Sequence, residues 1–121
     1  MIPSGVEIFV GVEPIDLRWS FDRLAGIVEE RLGLVACGGA LFVFFGKRRT
    51  ALKVFFYDGS GLCLFYKRLD KGTFRLPMPS RADATSIIVD ERELDDLLAG
   101  IAVELPARKR RARRAVKPTV H

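Results

Sequence analysis

Residues 41–76, LFVFFGKRRTALKVFFYDGSGLCLFYKRLDKGTFRL, narrow the folds open to this chain more than any other stretch. Three apolar runs of five to seven residues, rich in Phe, Val, Leu and Tyr, are separated by short polar breaks carrying Gly or Asp-Gly. This is how consecutive antiparallel hairpins are encoded. In LFVFF, Leu41, Val43 and Phe45 alternate with Phe42 and Phe44, so both faces of that strand are apolar and both call for cover. Lys47, Arg48 and Arg49 form a basic turn, and residues 51–57 return. Asp58-Gly59 reads as a hairpin turn of type I′, which needs positive φ at both central residues. Residues 62–68 make the next strand, and residues 73–76 a short fourth one that Pro77 stops, since proline has no amide to donate to a ladder.

The flanks supply layers for this meander. In VEIFVGV, Val6, Ile8, Val10 and Val12 alternate with Glu7, Phe9 and Gly11, which predicts a strand with one well-buried face. Glu13-Pro14 ends it. Ser20 is a candidate N-cap, although Arg23 stands where a capping box has Glu. Phe21, Leu24, Ala25, Val28 and Leu32 keep the spacing of one buried helical face, and Gly33 is the expected terminator. Residues 86–89 are β-branched and extended. Asp90 with Glu93 three residues later signals a second helix, with Leu94, Leu97, Leu98 and Ile101 as its apolar face. Past Pro106 the chain becomes Arg, Lys and Ala, a composition that cannot bury enough apolar surface to order itself. The expected architecture is α+β: one domain over residues 1–105, an antiparallel β-meander of four to six strands packed with two amphipathic helices, then a disordered basic tail over 106–121.

Charge is unevenly spread. The formal net charge is +5, yet the tail alone holds seven bases, Arg108, Lys109, Arg110, Arg111, Arg113, Arg114 and Lys117, with no acid. The rest of the chain is therefore −2. Within it, residues 41–76 carry eight bases, Lys47, Arg48, Arg49, Lys53, Lys67, Arg68, Lys71 and Arg75, against Asp58 and Asp70. Such polarisation steers a phosphate backbone to one surface, or pairs with an oppositely polarised protein. Bases on strands also simply keep edges soluble. Lys and Arg with Tyr57, Tyr66 or Phe55 nearby are what backbone binding with stacking requires. The tail can add phosphate affinity but no sequence specificity.

Other chemistry lacks its residues. Gly46-Lys47 with Thr50 falls short of a phosphate loop, because Leu41 stands where the first Gly belongs and Arg48 where Ser or Thr does. Gly59-Ser60-Gly61 joins two strands and has Leu64 in place of a third Gly, so it is not a dinucleotide fingerprint. Residues 38–45 share Gly39, Phe42, Val43 and Phe45 with the RNA-recognition strand pattern, but the leading base and one stacking aromatic are missing. Cys37, Cys63 and the terminal His121 make no zinc ligand set. No Ser or Cys has an identifiable base, and Asp16, Asp22 and Asp58 form a metal triad only by assumption, so no catalytic residue, metal or cofactor is expected. No apolar run approaches the roughly 20 residues of a membrane helix, and residues 1–9 lack a signal-peptide pattern. A soluble cytoplasmic protein is the expectation.

Three stretches, PSGVEIFVGVEPIDLRWSFDRLAGIV, ALFVFFGKRRTALKVFFYDGSGLCLFYKRLDKGTFRLP and ELDDLLAGI, together resemble the small accessory protein of the insertion sequence 66 family, the TnpB-type second reading frame. That family is unrelated to the RNA-guided nucleases sharing the TnpB label. The resemblance spans residues 3–101 and rests on the blocks LFVF, RR, LK, YDGSG and KRLDKG in that order. Trp19-Ser20 departs from a basic-Gly pair, and Leu76-Pro77 from Trp-Pro. The resemblance implies a non-catalytic role in transposition beside a larger transposase, which carries the acidic-triad strand-transfer chemistry, and another accessory protein. The family-like positions able to bear function are Lys47 or Arg48, Arg49, Lys53, Tyr57, Asp58, Lys67, Arg68 and Lys71. They are expected to face DNA or, alternatively, to bind the transposase without touching DNA.

Overall fold

The computed structural model describes residues 5–76, 78–79, 81–100 and 112–114. Strands form where the apolar runs lie: β1 (Ile8–Gly11), β2 (Leu41–Phe45), β3 (Ala51–Tyr57), β4 (Leu62–Arg68) and β5 (Ala84–Val89), with a short β6 (Ala112–Arg114). Helix α1 (Phe21–Leu32) joins β1 to β2, and α2 (Glu91–Leu98) follows β5. The sheet order is β4-β3-β2-β1-β5-β6.

The fold is α+β, and the sheet is mixed. The β2-β3-β4 meander is antiparallel, but β1 pairs parallel with β2, matching Ile8 to Leu41 and Val10 to Val43. A parallel neighbour needs a crossover, and α1 supplies it. Strand β5 then adds antiparallel to the other side of β1. The expected fourth meander strand, residues 73–76, does not form. There Phe74 turns inward, its ring centroid 5.8 Å from that of Phe45, while its amide bonds the Arg49 carbonyl at 2.7 Å. The alternation of Phe74 and Leu76 serves side-chain burial rather than a ladder.

Both faces of the sheet are covered. On one, Ile8, Val10, Val43, Val54 and Ile87 pack against Leu94 and Leu97 of α2 and against Phe74. On the other, Phe9, Phe42, Phe44 and Phe55 pack against Leu24, Ile27, Val28 and Leu32 of α1. Strand β2 lies between the two layers, and all five of its residues are at most 2% exposed. Each buried Phe contributes about 1.5–3 kcal/mol, so this doubly apolar strand is the anchor of the core. Phe21, expected on the buried face of α1, is exposed and reaches only the rim of Phe55.

The helix boundaries follow local chemistry. Asp90 and Glu93 form a complete capping box, with both reciprocal bonds at 2.8 Å. Ser20 occupies the N-cap of α1 without a side-chain cap bond, consistent with the missing Glu, and Gly33 ends that helix at φ 66°. Ile101 lies outside the described residues, as does the tail apart from Ala112–Arg114. Those three residues pair antiparallel with β5 along its outer edge.

Candidate functional site

The β2–β3 turn is the centre of the basic surface. The Gly46 amide bonds the Ala51 carbonyl at 3.1 Å, and the Arg49 amide bonds the Gly46 carbonyl at 2.9 Å. Lys47 and Arg48 are the central turn residues, and Arg49 follows in the left-handed region at φ 57°, the one non-glycine residue with positive φ among those described. Hairpin loops of this length usually place glycine at that position. A left-handed L-residue costs about 1–2 kcal/mol, so the turn holds Arg49 against a conformational preference.

Two further segments close on this turn. After β4, the Leu69 amide bonds the Thr50 carbonyl at 2.9 Å and Phe74 bonds Arg49, so residues 69–76 are tied alongside the turn at two points. Arg68, Lys71 and Arg75 are thereby brought to Lys47, Arg48 and Arg49. All six are exposed, with Asp70 among them. None of the six has an ion-pair partner among the described residues. From the other side, Ile15 bridges to Gly46 and its amide bonds the Phe45 carbonyl at 2.8 Å. Leu17 then lies so close over Gly46 that a Cβ there would sit 2.7 Å from Leu17 Cδ1. Between the segments an open cleft of about 490 Å³ is lined by Pro14, Asp16, Leu17, Lys47, Arg48 and Thr50.

Asp16 places one carboxylate in this cleft. Arg18 Nη2 donates to it at 2.7 Å, and that guanidinium holds the carboxyl at about 2, below its ordinary 3.8. The acid is thus matched by its own arginine and leaves the six bases unneutralised. Sequence reading missed this pair, although Asp-x-Arg is a spacing at which an aspartate can accept from the backbone two residues on. It also missed Trp19, whose ring lies under the guanidinium groups of Arg23 at 4.8 Å and Arg31 at 5.5 Å. Trp19 precedes the Ser20 N-cap of α1, so no helical spacing pointed to it.

Three expected site residues lie elsewhere. Lys53 is 5% exposed; its Nζ donates to the Trp19 carbonyl at 2.7 Å and lies 5.2 Å from the Tyr66 ring centroid. Lys67 points to the α2 face, where its Nζ donates to the Leu98 carbonyl at 2.8 Å and caps the negative end of that helix. Tyr57 ends β3 at the opposite end of the sheet, next to the Asp58 turn. In that turn Asp58 Oδ1 accepts from the Ser60 amide and hydroxyl and the Gly61 amide, which hold its carboxyl at about 2. Gly59 alone has positive φ, at 102°, so the turn is not the expected type I′. The Asp58 side chain instead accepts from the amides of both Ser60 and Gly61.

Of the tail bases, Arg108, Lys109, Arg110 and Arg111 lie outside the described residues. Arg113 and Arg114 belong to β6, and Arg114 pairs with Ala84 at the start of β5. Because β1 and β2 run parallel and β5 antiparallel to them, the start of β5 lies at the same end of the sheet as the β2–β3 turn. Basic positions therefore recur along one sheet end from β4 to β6, about 24 Å at the usual strand spacing. Among the described residues there is no group of three or more His, Cys, Asp or Glu placed to hold a metal ion, and no helix is long and apolar enough to cross a membrane.

Comparison with known proteins agrees with the blocks on which the resemblance rested. The family model described as IS66 Orf2 like protein matches residues 6–108. The uncharacterized protein y4hO of Sinorhizobium fredii is 42% identical over 103 residues, covering 84% of this chain and 87% of that protein. The uncharacterized protein y4jC of the same organism is 34% identical over 97 residues, covering 80% of each. No solved structure matches. With β2, the basic turn, the Asp58 turn and both helices all inside the matched span, the chain belongs to the IS66 Orf2-like family, whose role is accessory to insertion-sequence transposition.

Proposed function

We propose that this accessory protein is non-catalytic and binds the DNA backbone with the basic end of its sheet, its tail adding further phosphate contacts. The observation that carries the reading is the set of six exposed bases, Lys47, Arg48, Arg49, Arg68, Lys71 and Arg75, gathered from two stretches of chain with Asp70 as the acid among them. Free cations at this density release counterions from a duplex, which presents one phosphate per about 1.7 Å of helix axis. An end about 24 Å across is wide enough to engage several phosphates at once. Contacts to the phosphate backbone position the protein and carry no sequence information directly.

Fluorescence anisotropy with duplex oligonucleotides across a salt series tests the reading, on the full chain and on a chain ending at Leu105. Affinity should fall steeply with salt for both, and each substitution of one contacting base by Ala should reduce the log–log slope by about 1. Absence of binding by the shortened chain at low salt would remove the sheet end as a DNA site. If Arg49→Glu and Arg68→Glu then abolished co-purification with the transposase, the same surface would be a protein-docking site instead.

A further inference from the structure

The two edges of the sheet are treated differently. On β5 the outer edge is taken by β6 from the chain's own tail. On β4 no strand covers the outer edge among the described residues, although β4 is seven residues long. Its stretch Leu62–Tyr66, LCLFY, contains neither proline nor charge, the two devices that usually keep an edge from pairing. Leu62, Cys63, Leu64 and Phe65 are half-buried and Tyr66 is 48% exposed. A groove of about 330 Å³ lies here, lined by Phe56, Asp58, Cys63, Leu64 and Phe65.

The direction of each β4 amide follows from the ladder. The Asp58 amide bonds the Gly61 carbonyl and the Leu69 amide bonds the Thr50 carbonyl, so those two pairs are hydrogen-bonded at either end of the hairpin. Hydrogen-bonded pairs alternate in an antiparallel ladder. With Tyr57 opposite Leu62 and Ala51 opposite Arg68, Cys63, Phe65 and Lys67 turn their backbone groups toward β3. Leu62, Leu64, Tyr66 and Arg68 turn theirs outward, toward no strand. Four outward amides and four outward carbonyls are thus in register to accept another strand.

We propose that this edge pairs antiparallel with the β4 edge of a second copy of the chain, about a two-fold axis at Leu64. The pairing sets each Leu62 opposite the other copy's Tyr66, so the apolar stretch covers itself. It also sets Arg68, the basic end of β4, opposite Ser60 of the other copy, beside the turn that holds the acidic Asp58. A parallel pairing would instead bring Arg68 to Arg68. The inference does not rest on DNA binding: of the six bases only Arg68 lies on the pairing strand, and the other five lie outside it.

Light scattering on a size-exclusion column reads the outcome directly. The full chain should elute at twice the 13.5 kDa of one copy. Tyr66→Pro removes one outward amide without touching the β3–β4 ladder and should halve that mass, whereas Tyr66→Thr, which keeps the amide, should not. A single-copy mass for the full chain at high micromolar concentration, or a double mass for a folded Tyr66→Pro, overturns the proposal. Hydrogen exchange on the unaltered chain decides the matter if Tyr66→Pro fails to fold. Protection at Leu62, Leu64, Tyr66 and Arg68 should rise with protein concentration; fast exchange there at all concentrations, beside slow Cys63, Phe65 and Lys67, overturns it.

Discussion

Arg49 offers the sharpest perturbation, because its backbone and its charge make opposite demands. At φ 57° an L-residue is disfavoured by about 1–2 kcal/mol, and Arg49→Gly removes that cost. Glycine's larger freedom in the unfolded chain returns about 0.4–1 kcal/mol, leaving a net gain of about 0.5–1 kcal/mol. Arg49→Ala shortens the same exposed side chain but keeps the left-handed Cβ, so it should gain nothing. For a domain of this size 1 kcal/mol corresponds to about 4–8 °C in Tm, which puts the glycine variant about 2–8 °C above the alanine one. Urea unfolding and thermal scans of the three proteins measure this. Both variants lose one base, so both should lower the salt slope of DNA binding by about 1. A glycine variant less stable than the alanine variant would refute the strain argument, whatever its binding. A more stable variant that binds less well would mean the turn keeps a costly residue for its charge.

Lys53→Met keeps volume but removes a charge-assisted hydrogen bond to Trp19 and a contact with the Tyr66 ring. Offset by the relieved burial of an ammonium, the expected loss is about 1–2 kcal/mol in urea unfolding, with the DNA salt slope unchanged where the variant is folded. Gly46→Ala would push a Cβ into Leu17 and should cost about 1–3 kcal/mol, with loosened amides at Ile15 read by hydrogen exchange. Asp58 has its pKa lowered from 3.8 to about 2 in the folded chain, so the stabilisation it contributes is complete above 3.8 and disappears as pH falls toward 2. Asp58→Asn, which retains an accepting oxygen without the titration, should flatten the dependence of stability on pH in that window.

The sequence was a good guide wherever one local pattern carried the information. Doubly apolar LFVFF announced a strand buried on both faces, Asp90 with Glu93 announced a capping box, and Gly33 announced a helix end. Each depends on residues within a few positions of one another. Residues 73–76 misled because alternating apolar residues look the same whether they join a ladder or insert into a core. The parallel β1–β2 pair was readable in principle, since a strand, a helix of 12 residues and another strand make a crossover unit, but hairpin signals downstream suggested a uniformly antiparallel sheet.

By itself the amino-acid order determined the layers, the basic character of the hairpin segment and the family blocks, because composition and short-range spacing suffice for these. Only the tertiary structure decided which bases share a surface. Lys47, Arg48 and Arg49 are neighbours in sequence, but Arg68, Lys71 and Arg75 join them through the bonds of Leu69 to Thr50 and Phe74 to Arg49. Lys53 and Lys67 look equivalent to these in the sequence, yet strand alternation and the covering helices turn them to the Trp19 carbonyl and the end of α2. Whether a lysine meets water or a carbonyl depends on which face its strand position takes and what packs over that face, and both are set by contacts distant in sequence.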